Sequence, residues 1–223
     1  MASFFNLTLD TKAPAGLAIA LNDDALYTTN RVVSLKTTLT DEDTTGYQMK
    51  IWGVADAEDE ASAAWETFAA EKSITLPEGD GLKTVYVKVR DDVYNETAAA
   101  SDTITLDTVV PVVTITGPDK TKVSKMEGKN SAVINFTSNV AFEEYKVCMV
   151  PATNSIQSAG TVIPTTGGSS NTSGNAGGYE ADTNIEVTIN GADLETVGAD
   201  GSGKVPTILK VFVRSAAGTW SVA

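Results

Sequence analysis

Few of the chain's 223 residues could perform covalent or metal chemistry. The sequence contains no histidine and one cysteine, Cys148. These counts exclude Ser-His-Asp and Cys-His nucleophile systems, zinc sites that use histidine, cysteine-rich metal sites and iron–sulfur clusters. Cys148 lies between Val147 and Met149, which favours an unreactive strand residue that forms no intramolecular disulfide.

One glycine-rich segment, residues 198–204, has the spacing of a phosphate-binding loop. The next residue is Val205, in place of the Ser or Thr that would contact a metal ion, and Pro206 follows. A phosphate loop has to open a helix, whose N-terminal amides bind the anion. A β pattern follows this segment instead, so we predict a hairpin turn.

Two acidic groups are candidate calcium ligands, because calcium binds several oxygen atoms and loops supply them. No EF-hand spacing accompanies them, so solvated loops are the favoured interpretation. Paired carboxylates for glycoside hydrolysis would have to face a cleft, and the sequence indicates no aromatic groove. We therefore predict no enzyme activity, no bound metal and no cofactor. The two acidic groups consist of Asp41, Glu42 and Asp43, and of Asp91, Asp92 and Asn95.

Two aromatic residues, Trp52 and Phe212, are candidate surface contacts. Each falls out of phase with the residues predicted to face inward on its strand, such as Ile51 and Val211. They could contact a neighbouring subunit or a sugar. The third alternative is packing under a loop of the same chain.

Apolar residues alternate with polar ones through much of the chain, which is typical of strands with one buried face. Valines alternate with Tyr86 and Lys88 in residues 85–89, and Ile and Val alternate with Glu and Thr in residues 185–189. Glycine-containing turns, such as the one predicted at Asn190-Gly191, separate such runs because glycine adopts positive φ at little cost. The pattern predicts an all-β protein built from antiparallel sandwiches.

Sequence blocks recur about 100 residues apart. Residues 7–11 (Leu-Thr-Leu-Asp-Thr) are followed by Pro14, and residues 104–108 (Ile-Thr-Leu-Asp-Thr) are followed by Pro111. The offset is 97 residues. A period of this size suits tandem sandwich domains better than a solenoid, whose repeats are shorter.

Two further strand-like blocks recur, at different offsets. Residues 49–54 resemble residues 145–150 at an offset of 96, and residues 85–90 resemble residues 209–214 at an offset of 124. The increase in offset indicates an insertion in the second half of the chain.

We therefore predict two tandem immunoglobulin-like (Ig-like) antiparallel β-sandwich domains, residues 1–108 and 109–223. The insertion of the second domain includes residues 165–178, which are all Thr, Gly, Ser, Asn or Ala. This composition predicts a long flexible loop at about residues 160–180. Residues 56–72, rich in Ala and Glu, could form a short helix or a loop with one helical turn.

Acidic residues dominate the first half. Residues 1–108 hold 19 acidic and 8 basic residues, a balance of −11, whereas residues 109–223 hold 10 and 8, a balance of −2. The net charge of −13 disfavours nucleic acid and anionic membranes as partners. No apolar run is long enough to span a bilayer, and residues 1–5 show no secretory signal pattern.

Four blocks of the first half resemble a known family. Residues 79–91 read Gly-Asp-Gly-Leu-Lys-Thr-Val-Tyr-Val-Lys-Val-Arg-Asp and residues 101–108 read Ser-Asp-Thr-Ile-Thr-Leu-Asp-Thr. Together with Leu-Asp-Thr-x-x-Pro at 9–14 and Trp-x-x-Phe at 65–68, they resemble bacterial and phage Ig-like repeats. The resemblance covers about half of the chain. It implies an Ig-like fold with a spacer or display role, and it implies no chemistry.

A chain without a secretory signal that resembles surface repeats is expected in a bacteriophage virion. We predict a multicopy decoration or accessory protein on the capsid or tail, in contact with other virion structural proteins. Weak contact with the host surface and homo-oligomerisation within the assembly are further expectations. The alternatives are a glycan-binding adhesin and an accessory Ig-like module of a secreted protein.

Overall fold

The computed structural model describes residues 7–41, 43–149, 160–163, 165–166, 178–198 and 208–222. The chain forms two compact units, unit 1 (Met1–Thr108) and unit 2 (Val109–Ala223). Each unit consists of two β-sheets with an apolar core, which confirms the predicted all-β class. No helix in the described ranges has the length and apolarity to span a membrane.

The described strands of unit 1 form one sheet of three strands and one of five. The first has the order β1-β3-β6 and the second the order β2-β8-β7-β4-β5. Neighbouring strands run antiparallel, except that the short β2 runs parallel to β8. The strands are β1 (Ala18–Leu21), β2 (Tyr27–Thr28), β3 (Val32–Thr38), β4 (Gln48–Trp52), β5 (Trp65–Thr67), β6 (Glu71–Thr75), β7 (Gly81–Arg90) and β8 (Ala100–Leu106).

Inward and outward side chains alternate along these strands, because successive residues of a strand point to opposite faces. On β3, Val33, Leu35 and Thr37 are buried and the residues between them are exposed. Burial of each large apolar side chain contributes about 1.5–3 kcal/mol. Both sheets supply the core, which contains Leu21, Val33, Leu35, Met49, Ile51, Ile74, Leu76, Val85, Val87, Val89 and Ile104.

Residues 56–72 form a loop, the short strand β5 and the start of β6, and contain no α-helix. The loop turn is closed by Asp59 and Ser62. The amide of Ser62 donates to Asp59 Oδ1 at 2.8 Å, and its hydroxyl donates to the Asp59 carbonyl at 2.9 Å. Such side-chain bonds compete with helix formation. Of the two predicted alternatives, a short helix or a loop, the loop is therefore correct. The segment also contains strand β5, which was not predicted.

The described strands of unit 2 form one sheet of four strands and one of three. Their orders are β13-β14-β10-β9 and β12-β11-β15, and all neighbours run antiparallel. The inward residues of both sheets form the core, which includes Phe136, Tyr145, Val187 and Val211. The strands are β9 (Val113–Thr116), β10 (Ser131–Ser138), β11 (Glu144–Met149), β12 (Thr161–Val162), β13 (Thr165–Thr166), β14 (Ile185–Asn190) and β15 (Leu209–Arg214).

A helix, α1 (Gly191–Gly198), follows β14 where the sequence predicted a turn at Asn190 and Gly191. The prediction assigned Gly191 to a turn because glycine permits unusual backbone angles. The glycine instead allows close packing, since a Cβ atom there would lie 2.4 Å from the carbonyl oxygen of Ser124. Asp193 lies in the first helical turn, where a negative charge is favourable.

Two predicted segments fall largely outside the described residues. The described part of the predicted loop at about 160–180 includes the short strands β12 and β13. Of the phosphate-loop-like segment 198–204, only Gly198 is described, as the last residue of α1.

Gly53 provides a test of the packing between β4 and β7. Gly53 and Gly79 both have φ of +78°, but a Cβ atom at Gly53 would lie 2.1 Å from the carbonyl oxygen of Thr84, whereas one at Gly79 would meet nothing within 4 Å. We expect Gly79→Ala to cost about 1 kcal/mol through its backbone conformation alone. Gly53→Ala should cost about 3 kcal/mol, because overpacking adds to the same conformational strain.

Urea denaturation of both variants measures this difference. Equal losses of unfolding free energy would contradict the close approach of β4 and β7.

Candidate functional site

Two of the candidate calcium ligands in the first acidic group, Asp41 and Asp43, accept hydrogen bonds from backbone amides. Asp41 Oδ2 accepts the amide of Ala15 at 2.8 Å, and Asp43 Oδ1 accepts the amide of Thr45 at 2.9 Å. Glu42 lies outside the described residues. Within the described ranges, no group of three or more His, Cys, Asp or Glu side chains is arranged to hold a metal ion.

Asp91 is the buried acid of the second group, and its carboxylate closes the turn after β7. Its Oδ1 accepts the amides of Val93 and Asn95 at 3.0 and 2.8 Å, and its Oδ2 accepts the side-chain amide of Asn95 at 2.8 Å. Burial would raise the pKa of Asp91, but the hydrogen bonds from Asn95, Val93 and Tyr94 outweigh it and hold the pKa below its ordinary value of 3.8. The group is therefore an ionised structural acid.

Asp91→Asn should destabilise unit 1 in a pH-dependent way. Because the pKa of Asp91 is lowered by folding, the ionised group stabilises the fold above pH 3.8, and this stability is lost as the pH falls through the lower folded value. At neutral pH we expect a cost of about 1.5–3 kcal/mol, typical of hydrogen bonds to a charged group.

Thermal unfolding of the two chains from neutral to acidic pH provides the measurement, with exposed Asp92→Asn as the control. If the difference in stability between wild type and Asp91→Asn increased on acidification, this would contradict the assignment of Asp91 as an ionised structural acid.

Trp52 does not form a surface contact, and the third alternative, packing under a loop, describes it. The side chain is buried, and its ring stacks on Tyr86 with a centroid distance of 5.3 Å and an interplanar angle of 7°. Ala57 and Ala63 of the following loop pack against it. The indole points outward from the sheet, as its phase predicted, and the loop then covers it.

Phe212 is likewise buried, on the outer face of unit 2. It packs with Cys148 and the partly buried Trp220. Burial raises the pKa of the Cys148 thiol, which keeps the thiol protonated and weakly nucleophilic. The prediction of an unreactive cysteine therefore agrees with its position.

The outer face of unit 1 carries a cluster of cationic and aromatic side chains, which we call the unit 1 cluster: Arg90, Trp65, Tyr94, Lys50 and Gln48. The Arg90 guanidinium carbon lies 4.3 Å from the ring centroid of Trp65 and 4.2 Å from that of Tyr94. Gln48 Oε1 accepts hydrogen bonds from Arg90 Nε and a terminal nitrogen at 2.8 and 2.6 Å. Lys50 Nζ lies 5.3 Å from the Trp65 centroid.

These contacts leave the ring of Tyr94 largely exposed. Tyr94 is 63% exposed, and its backbone φ of +69° belongs to the turn that Asp91 closes. Cation–π contacts contribute about 0.5–1 kcal/mol each at exposed sites. The cluster is therefore held together by several weak contacts.

Unit 2 carries an equivalent group, the unit 2 cluster: Arg214, Glu144, Lys146 and Trp220. Arg214 Nε donates to Glu144 Oε2 at 2.9 Å, and Lys146 Nζ lies 3.6 Å from Glu144 Oε1. Lys146 Nζ lies 4.5 Å from the Trp220 ring centroid, and the Arg214 guanidinium lies 6.0 Å from it. Glu144 is buried.

The two clusters occupy matching strand positions, which sequence reasoning could have detected. Arg90 and Arg214 are 124 residues apart, and Lys50 and Lys146 are 96 residues apart. These are the offsets already found for the apolar blocks. Apolar alternation identifies the inward residues of these strands and does not indicate that the outward residues between them form a cluster.

The buried Glu144 generates a prediction for unit 2. Arg214→Met should cost about 3 kcal/mol, because it leaves a buried carboxylate with a weaker partner. The double variant Glu144→Met/Arg214→Met should recover most of this loss, since no charge then remains buried. Arg90→Met in unit 1, where the partner is the neutral Gln48, should cost only about 1 kcal/mol.

Urea denaturation followed by circular dichroism measures all three variants. If the double variant were as unstable as Arg214→Met, the buried charge of Glu144 would not be the cause of the loss in stability.

One shallow depression of about 340 Å³ lies beside the 56–64 loop of unit 1 and includes Asp56, Glu66 and Lys72 in its wall. Lys72 Nζ contacts Glu66 Oε2 directly.

Several solved structures are similar to this chain. No family model matches the chain, and no curated protein matches it. The fibronectin(III)-like modules of Clostridium thermocellum CbhA are 11% identical with a TM-score of 0.45, covering 91% of this chain and 88% of that chain. The chicken CNTN1 FN1-FN3 domains are 12% identical with a TM-score of 0.42, covering 96% of this chain and 62% of that chain.

A third likeness is the D00-D0 domain of Intimin, 16% identical with a TM-score of 0.29, covering 93% of this chain and 95% of that chain. All three TM-scores are below 0.5, so these likenesses support no statement about function. The sandwich assignment follows from the sheets and cores of the two units themselves.

Proposed function

We propose that this chain is a non-catalytic structural protein of a bacteriophage virion, displayed on the capsid or tail as a multicopy decoration or accessory protein. The unit 1 cluster carries the proposal, because Arg90 lies between Trp65 and Tyr94 on an outer sheet face. Arg, Trp and Tyr dominate the binding energy of protein interfaces. We assign this cluster the contact with other virion proteins.

The charge distribution supports a role at a particle surface. Residues 1–108 hold 19 acidic and 8 basic residues, and this excess of negative charge keeps the free chain soluble until it binds the particle. Within this acidic unit, Lys50 and Arg90 hold their charges against aromatic rings. A partner surface with carboxylates or aromatic rings would complement them.

The sequence resemblance supports the particle location. Residues 79–91 and 101–108 resemble Ig-like repeats of bacterial and phage proteins, and these residues form β7 and β8 of unit 1. The fold implies no activity by itself. The proposal includes many copies in one assembly and excludes nucleic acid and membrane as partners.

Incorporation into particles provides the test. Purified particles should contain the chain in stoichiometric, multicopy amounts. The double variant Arg90→Ala/Tyr94→Ala should reduce incorporation at least about tenfold, since loss of two interface anchors of about 1–2 kcal/mol each weakens binding by that factor or more.

Lys36→Ala is the matched control, because Lys36 is an exposed cation on the other sheet of the same unit. Its incorporation should equal that of the wild type. Particles that lack the wild-type chain would disprove the proposal, and equal incorporation of all variants would disprove the role of the cluster.

A glycan-binding adhesin is the second candidate, and the exposed ring of Tyr94 favours it. An exposed ring next to Arg90 could stack on a sugar, whereas the buried Trp52 could not. Under this candidate, the chain binds a glycan array saturably and Tyr94→Ala removes the binding. Retained incorporation of Tyr94→Ala into particles would then separate the two functions.

A further inference from the structure

The equivalent arginines of the two units have different acceptors. In unit 2, Arg214 lies opposite Glu144 in the strand register, and its Nε donates to Glu144 Oε2 at 2.9 Å. In unit 1, Arg90 lies opposite Gln48 and donates to Gln48 Oε1. Gln48 and Glu144 are 96 residues apart, which is the offset between their strands. A neutral amide in unit 1 therefore replaces the carboxylate that neutralises the arginine in unit 2.

No other carboxylate takes over this role in the described part of unit 1. None of the Asp and Glu side chains that the structure describes forms an ion pair with Arg90. Glu96 lies opposite Arg90 in a backbone bridge. The hydrogen bond from Lys88 to Glu60, together with the negative charges of Glu60 and Glu96, raises the pKa of Lys88 against the effect of burial. These two acids therefore favour the charge of Lys88, and Arg90 keeps a positive charge without an ion-pair partner among the described residues.

The contacts of Arg90 leave one edge of its guanidinium group without an acceptor. Nε and Nη2 donate to Gln48 Oε1 at 2.8 and 2.6 Å. The ring centroids of Trp65 and Tyr94 lie 4.3 and 4.2 Å from the central carbon of the group. A guanidinium group has five N–H donors. Nη1 is open to solvent, so Nη1 and the second N–H of Nη2 form an edge that a ligand can reach.

This edge matches the geometry of a carboxylate. Two parallel N–H groups of a guanidinium group donate to the two oxygens of a carboxylate, and these charge-assisted bonds are stronger than bonds between neutral groups. Lys50 Nζ lies 5.3 Å from the centroid of Trp65 and adds a second positive charge to the same surface. Tyr94 is 63% exposed and lies beside the edge. Unit 2 already contains the corresponding pair, between Arg214 and Glu144.

The negative charge of unit 1 favours a single carboxylate over a polyanion as the ligand. Residues 1–108 hold 19 acidic and 8 basic residues, so a partner with many negative charges is repelled by most of this surface. A single carboxylate in contact with Arg90 gains more from that pair than it loses to acids farther away, because the interaction of two charges weakens with distance and is screened by salt. An isolated acidic side chain on a folded protein meets this condition better than an acidic polysaccharide.

We propose that the free edge of Arg90 binds an aspartate or glutamate side chain of the virion protein to which this chain attaches. The inference rests on the proposed function and specifies the chemistry of the partner at the unit 1 cluster. The partner's carboxylate accepts hydrogen bonds from Nη1 and Nη2 and neutralises Arg90, as Glu144 neutralises Arg214 in unit 2. The rings of Trp65 and Tyr94 shield this ion pair from water, as the rim of an interface does for its central contacts.

Gln48→Glu tests the proposal by placing the carboxylate of unit 2 in unit 1. The new carboxylate neutralises Arg90 within the chain and repels the carboxylate of the partner. Incorporation into particles should fall by about tenfold or more, while the thermal unfolding temperature stays at or above that of the wild type. Val32→Glu is the matched control, because it adds the same charge at an exposed position of β3 on the other sheet, and it should be incorporated like the wild type.

Arg90→Lys tests the requirement for two parallel donors. Lysine keeps the positive charge but cannot form the bidentate pair, so incorporation should also fall by about tenfold. If Arg90 supplied only a positive charge, Arg90→Lys would be incorporated like the wild type, and this result would overturn the proposal.

Chemical modification of the particle tests the partner's side of the contact. Particles that lack this chain are treated with a carbodiimide and a neutral amine, which converts exposed carboxylates to amides, or with the amine alone as the control. The purified wild-type chain should bind the control particles and not the amidated ones. A soluble polyuronate should not compete for binding.

The outcomes separate this inference from the proposed function. Absence of the wild-type chain from particles would disprove the proposed function and the inference together. Presence of the wild type with equal incorporation of Gln48→Glu, or unchanged binding to amidated particles, would overturn only the inference. Competition by the polyuronate would assign the edge of Arg90 to an acidic sugar and would also overturn it.

Discussion

A β-sandwich has to satisfy two requirements along every strand: the lateral N–H and C=O groups need partners, and the inward side chains need cover. Unit 1 satisfies both at β7, because β8 pairs with it and places Ile104 in the core. Unit 2 meets both requirements between β11 and β15, which pair with each other and place Val147 and Val211 in the core.

The same sandwich geometry positions the two clusters on the outer faces. A strand that buries every second residue presents the others outward, so the residues at the end of β7 and β15 lie beside those of β4 and β11. Arg90 meets the neutral Gln48, and Arg214 meets the buried Glu144. The unit 2 cluster therefore depends on a buried charge, whereas the unit 1 cluster leaves Tyr94 exposed for a partner. This difference supports unit 1 as the contact surface in the proposed function.

The fold could be predicted from the sequence where the information is local. Valine alternation on β7 predicted its buried face, and the offsets of 96 and 124 identified equivalent strands. Non-local packing could not be predicted in this way. Trp52 has the phase of an outward residue, but the loop with Ala57 and Ala63 covers it. The pair Asn190-Gly191 is typical of turns, but α1 begins at Gly191. The close approach of the Ser124 carbonyl explains why a glycine stands there. The clusters depend on outward residues, which apolar periodicity ignores.

Residue-resolved amide hydrogen exchange tests the central claim most directly. Val87 is fully buried and lies opposite Ala100 of β8, whereas Leu9 lies outside the strands of unit 1 and is 86% exposed. Exchange protection follows local hydrogen bonding and opening. We predict a slowly exchanging amide at Val87 and a much faster one at Leu9. Equally fast exchange of the two amides would show that β7 is not held in the sheet and would contradict the account.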